Sequence, residues 1–161
     1  MSDSVPDSRP NILLIFTDQQ RADALGAVNP VLRTPVMDRL CEEGTLFTQA
    51  HTPVPVCVPA RCSMIFGQYA TQTGCFENSF AMPEVTPSRP TFMSALTDAG
   101  YRTHVVGKMH FTPDADALRG FQTRDTSEEM AGPDRDDYTA WLHDQGFDHI
   151  VDANGVRGEM Y

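Results

Sequence analysis

Residues 11–17, NILLIFT, are an unbroken apolar run bounded by Pro10 and Asp18. A strand with one wet face alternates, so a continuous run of this length predicts a strand buried on both faces, as in a parallel sheet. The period then changes. In TPVMDRLCEEG (34–44) Val36, Met37 and Leu40 fall at helical spacing, with Thr34 at the N-cap, proline at the first helical position and Gly44 as the stop. TLFTQAH (45–51) alternates and predicts a second strand. PARCSMIFG (59–67) predicts a short helix with Pro59 in its first turn and Gly67 closing it. RPTFMSALTDAG (89–100) predicts another helix of the same proline-to-glycine form, and YRTHVVG (101–107) a β-branched strand. DDYTAWLHDQG (136–146) predicts a last helix, while residues 111–135, with Pro113, Gly120, Gly132 and Pro133, read as loop.

Strands and helices in this order predict an α/β fold built on a largely parallel sheet with flanking helices. No internal repeat or low-complexity tract interrupts it. In open α/β sheets ligands gather beyond the carboxyl ends of the strands. Asp18 follows the first predicted strand, Cys57 follows the second after a short connection and starts a helix, and Lys108 follows the third. Three segments far apart in sequence are thus expected on one edge of the sheet.

Composition narrows the partners. The 161 residues carry 12 basic and 22 acidic side chains, a net charge of −10, which argues against nucleic acid or an anionic membrane as a bulk partner. A small anionic substrate stays open, because local fields outrank net charge. The first ten residues, MSDSVPDSRP, form a polar tail with no apolar core of a secretory signal, and ILLIF is too short to span a bilayer, so a cytoplasmic protein is expected. Cys41, Cys57, Cys62 and Cys75 show no paired C-x-x-C spacing and predict neither a disulfide framework nor a zinc site. Lys108 is the only lysine; every other basic residue is arginine.

Cys57 raises the chemical question. It sits in the proline-rich approach TPVPVCVPAR, and a helix N-terminus offers N–H groups and a positive dipole end suited to an anion. Arg61, one turn along on the same face, adds a fixed cation. A cysteine nucleophile or a buried small hydrophobe are both consistent with this placement. His110 stands two residues after Lys108, which in an extended segment puts both side chains on one face.

CVPAR, read as Cys-x-Pro-x-Arg ahead of an apolar helix and Gly67, resembles the signature of the type I sulfatases. PNILLIFTDQQRADALG resembles that family's opening strand and first metal ligands, and GYRTHVVGKMHF its Gly-Lys-x-His segment. The three blocks occur in the family's order, over roughly residues 10 to 121, and their wording is most similar to the choline-sulfatase and phosphonate-monoester-hydrolase branch of the alkaline-phosphatase superfamily. The resemblance implies an alkaline-phosphatase-like fold and a sulfuric ester hydrolase in which a formylglycine-generating enzyme oxidises Cys57 to formylglycine. It implies that the hydrated aldehyde attacks a sulfate monoester and that a divalent cation, Ca²⁺ first and Mg²⁺ or Mn²⁺ otherwise, neutralises the sulfate oxygens. Asp18, Gln19 and the converted Cys57 are then metal ligands, Arg61 holds the formylglycine, Lys108 contacts a sulfate oxygen, and His110 takes the hydroxyl proton as sulfate leaves. Gln19 departs from the family's usual Asp-Asp pair, which makes the site one unit less negative and leaves the metal and the sulfate-versus-phosphonate preference open.

Nothing after residue 121 matches the family's later metal ligands or its leaving-group acid. Residues 1–161 therefore read as the N-terminal portion of a sulfatase catalytic domain, with an incomplete sheet and exposed apolar surface that favours self-association. The rival readings are a phosphonate or phosphate ester hydrolase with the same nucleophile, a non-catalytic truncated domain, and an enzyme using an unmodified Cys57 with His110 as base. His51, His104, His143 and His149 read as structural, as do Cys41 and Cys62; Arg21 reads as a salt-bridged surface residue, and Cys75 has no assigned role.

Overall fold

A computed structural model describes residues 9–128 and 135–150. The chain divides into two compact units, Met1–Ala50 and His51–Tyr161. In the first, α1 (Pro35–Glu43) forms where the helical spacing predicts it, with Pro35 at its start. Thr34 occupies the N-cap position but does not cap a helix N–H. Its hydroxyl instead accepts from Gly26 N (2.8 Å) and donates to Asp38 Oδ1 (2.7 Å), tying the preceding loop to the helix.

The two predicted strands of this unit do not form. Residues 11–17 carry no strand assignment, and residues 45–50 end in a turn. Ile12, Leu13, Leu14, Ile15 and Phe16 are between 48% and 84% exposed. A run apolar on both faces becomes a strand only when neighbouring strands bond its edges and layers cover its faces, and no strand ladder includes this run among the described residues. Phe47, 76% exposed, likewise finds no sheet face to pack on.

The second unit is organised around its first helix, α2 (Cys57–Phe66). Val58, Cys62, Ile65 and Phe66 make one apolar stripe at helical spacing, and that stripe is buried against Cys75, Met82, Met93 and Phe111. Gly67 ends the helix in the left-handed region at φ 60°, letting Gly67 N and Gln68 N return to Met64 O and Ser63 O. A four-residue helix, α3 (Ala70–Thr73), follows; its lack of periodicity hides it from the sequence.

α4 (Phe92–Asp98) lies inside the predicted 89–100 helix and starts on a capping box: Ser94 N donates to Thr91 Oγ1 (3.1 Å) and Thr91 N to Ser94 Oγ (3.0 Å). β1 (His104–Gly107) forms within the predicted strand and pairs in parallel with β2 (Thr123–Thr126), register His104 to Thr123. β2 falls in the stretch expected to be loop, because TRDT is polar and gains strand character only from its partner. α5 (Asp137–Asp144) is capped by Asp136, whose Oδ1 accepts from Thr139 N (2.8 Å). Among the described residues the sheet is this parallel pair, flanked by helices, an α/β arrangement. No helix among them is long and apolar enough to cross a membrane.

Candidate active site

Cys57 is the first residue of α2, with Val56 at the N-cap. The expected supply of open N–H groups there is smaller than the sequence suggests. Asn78 Oδ1 takes Val58 N–H (3.0 Å), Pro59 has none, and Ala60 N already bonds Val56 O (2.9 Å). The proline-rich approach thus places Cys57 half-buried at a helix start whose own polar groups are largely satisfied.

Arg61 is not on the surface. It is 5% exposed, and its Nη1 donates to Lys108 O at 2.7 Å. That bond ties the second turn of α2 to the chain leaving β1, 47 positions on, and brings the segments of Cys57, Arg61, Lys108 and His110 together within one unit. A guanidinium suits this role because it stays charged and directs its donors in fixed geometry.

The segment after β1 is not extended, so Lys108 and His110 do not share a strand face as expected. His110 has φ 51°, in the left-handed region. The cause is Glu128, 8% exposed. Its Oε1 accepts from Met109 N (2.6 Å) and from His110 N (2.9 Å), with Oε2 at 3.2 Å from the latter. Successive N–H groups of a strand point opposite ways; both can reach one carboxylate only if the chain turns. Arg124, 7% exposed at its side chain, donates Nη2 to Glu128 Oε1 (3.1 Å) and stacks its guanidinium 6.0 Å from the Phe111 ring centroid. Sequence reasoning missed both residues. A Glu four positions after an Arg was the available signal, but nothing local pointed it at residues 109 and 110. The His110 Nδ1 is buried and has no hydrogen-bond partner.

Asp18 and Gln19 lie in the first unit, in a bend after the 11–17 segment, and Gln19 also has positive φ (56°). Their oxygens suit a hard cation such as Ca²⁺ or Mg²⁺ in kind but not in number. Among the described residues no three His, Cys, Asp or Glu side chains gather as a cation site. Arg21 pairs with Asp23 at 2.7 Å on the exposed surface, as expected. Cys62 and Cys75 are fully buried, and both thiols are pushed up first of all by burial, Cys75 to about 11. Neither is a nucleophile at neutral pH.

This unit thus brings together a cysteine at a helix start and a buried arginine bonded to the backbone of the Lys-x-His turn. The Sulfatase family matches residues 10–160, and the chain belongs to that family. It is 41% identical over 105 residues to an ulvan-active sulfatase of Formosa agariphila, covering 64% of this chain and 20% of that protein. It is 36% identical over 116 residues to an arylsulfatase of Clostridium perfringens (70% and 23%) and 35% identical over 121 residues to a choline-sulfatase of Rhizobium meliloti (74% and 23%). Among solved structures it resembles the phosphonate monoester hydrolase of Agrobacterium radiobacter, with TM-score 0.77 and 25% identity over 91% of this chain and 31% of that one. The chain therefore spans between a fifth and a quarter of the length of these curated relatives.

Proposed function

We propose that this chain carries the nucleophile half of the active site of a sulfuric ester hydrolase acting on a small-molecule sulfate monoester. The observation that carries the reading is the Arg61–Lys108 bond, which gathers Cys57, Arg61, Lys108 and His110 into one locality. Cys57, once converted to formylglycine by a formylglycine-generating enzyme, supplies an aldehyde hydrate as the nucleophile. Its half-buried position at the helix start leaves it reachable, whereas Cys62 and Cys75 are sealed in the core. Lys108 binds a sulfate oxygen as a point charge, and Arg61 stabilises negative charge beside the nucleophile while fixing the Lys108 backbone. His110, with its unpartnered Nδ1, takes a proton from the second hydroxyl as sulfate departs. Asp18 and Gln19 would supply oxygen ligands to a divalent cation, Ca²⁺ by preference, whose chemistry would be to neutralise negative charge. The remaining ligands and the leaving-group acid come from polypeptide outside these residues. A cytoplasmic setting is part of the same proposal, drawn from cysteine usage: four cysteines with no paired spacing.

A phosphonate or phosphate ester is the second substrate reading, favoured by the structural likeness to a phosphonate monoester hydrolase and by the uncharged Gln19. Kinetics in a longer polypeptide containing this chain separate the roles. Lys108→Ala raises KM for an aryl sulfate, while His110→Ala lowers kcat and accumulates sulfated enzyme. Equal, small effects of both changes return the pair to ordinary loop residues. A higher kcat/KM for an aryl phosphonate than for the matching sulfate selects the second reading.

A further inference from the structure

The geometry points to Glu128 as a positioning residue for the reaction: its buried carboxylate, held by Arg124, clamps the Met109 and His110 amides and so fixes the turn that presents Lys108 and His110. The inference rests on the functional reading above and extends it to a residue outside the family signature blocks.

The turn is held from two sides. Arg61 donates to the Lys108 carbonyl at 2.7 Å, and Glu128 accepts from the next two N–H groups at 2.6 and 2.9 Å. One residue is therefore gripped through its C=O and the next two through their N–H groups, which leaves the side chains of Lys108 and His110 to follow from the backbone. His110 is not glycine, and a positive φ is held only where the surroundings over-determine it. Glu128 supplies that constraint, because a carboxylate accepts several N–H groups at once and as an ion does so strongly. Arg124 in turn aims Glu128, its Nη2 donating to Oε1 at 3.1 Å. Its other donor reaches the Ala115 and Ala117 carbonyls, and its plane lies near the Phe111 ring, so the guanidinium is anchored on three sides. Phe111 belongs to the same buried core as α2. The nucleophile helix and the Lys-x-His turn are thus referenced to one rigid body.

The test is Glu128→Gln, nearly isosteric, in a longer polypeptide that contains this chain. The amide keeps one acceptor oxygen but loses the charge and turns an NH₂ toward the backbone donors or Arg124. The expected loss in kcat/KM is about 10- to 100-fold, the range for displaced orienting groups. A double-mutant cycle distinguishes positioning from general stability: Glu128→Gln is expected to cost at least tenfold in the wild-type background and less than about threefold in a His110→Ala background. Equal factors in both backgrounds overturn the proposal. A readout independent of turnover is amide hydrogen exchange of Met109 and His110, expected to speed up at least tenfold in Glu128→Gln while the β1 amides are unchanged. Unchanged exchange at residues 109 and 110 overturns the proposal whatever the substrate proves to be. Absence of sulfate ester turnover in the wild-type protein counts against the sulfatase reading alone, and the exchange result still decides the role of Glu128.

Discussion

Replacing Arg61 by Met separates what this arginine does for the fold from what it does for the site. Met fills much of the volume of the arginine stem, so packing against α2's neighbours is retained and the loss comes from the guanidinium. Arg61 is 5% exposed and donates to Lys108 O at 2.7 Å, a charge-assisted bond in a site that water reaches poorly. Such bonds contribute about 1.5–3 kcal/mol, and relief from burying the cation offsets part of the loss, leaving about 2 kcal/mol. With a urea slope of about 2 kcal/mol per M, the unfolding midpoint falls by roughly 1 M. Turnover should fall further, by about a hundredfold or more, because the Lys108 carbonyl is released and a cation beside the nucleophile is lost. Arg61→Lys restores less than half of either effect, since one ammonium cannot reproduce the directed fork. In a longer polypeptide that contains this chain, urea unfolding followed by far-UV circular dichroism, alongside aryl sulfate hydrolysis, measures both. An Arg61→Met protein with the wild-type midpoint and wild-type turnover refutes the reasoning; a lowered midpoint with unchanged turnover reduces Arg61 to scaffold.

Three further outcomes follow from the structure. Gly120→Ala places a Cβ 2.6 Å from Thr91 Oγ1 and 2.7 Å from Ser94 N, at φ +105°, so it breaks the α4 capping box and should cost roughly 3 kcal/mol of stability in a thermal or urea melt. The folded Cys75 thiol titrates at about 11 against 9.0 for the ordinary group, so folding favours its protonated form. That stability is fully present below pH 9 and is lost as pH rises through about 11, a decline of roughly 3 kcal/mol that Cys75→Ala should remove from the pH–stability curve. Asp18→Ala in a longer polypeptide should lower bound divalent metal and hydrolysis together, measured by elemental analysis; full metal content in that variant rejects Asp18 as a ligand.

What could be read from the sequence was what local signals determine. α1, α2, α4 and α5 begin and end close to their proline, cap and glycine markers, since capping and turn preferences act within a few residues. Gly67 is the clearest case, taking the left-handed conformation its position demands. Strands were legible only where a partner exists among the described residues. VVG pairs and forms β1; NILLIFT has the stronger apolar signal and joins no strand ladder among the described residues. TRDT shows the reverse, a polar segment made a strand by the ladder it joins.

The candidate site divides the same way. CVPAR announced Cys57 and Arg61, and the single lysine drew attention to residue 108. Burial of Arg61, its bond to the Lys108 carbonyl and the left-handed turn at His110 were not legible, because each depends on a partner far along the chain. Glu128 in particular lies in a stretch with no pattern, and its meaning comes from the two amides it meets.

The most direct measurement of the central claim is mass spectrometry of the peptide containing Cys57, taken from a preparation that hydrolyses a sulfate ester. The account predicts an aldehyde or its hydrate at Cys57, while Cys62 in the same helix stays an unmodified thiol because it is sealed in the core. It also predicts that Cys57→Ala and Cys57→Ser both abolish hydrolysis, the serine because it is not a substrate for oxidation of a cysteine. An intact Cys57 thiol in an active preparation contradicts the account and returns the site to a cysteine nucleophile with His110 as its base.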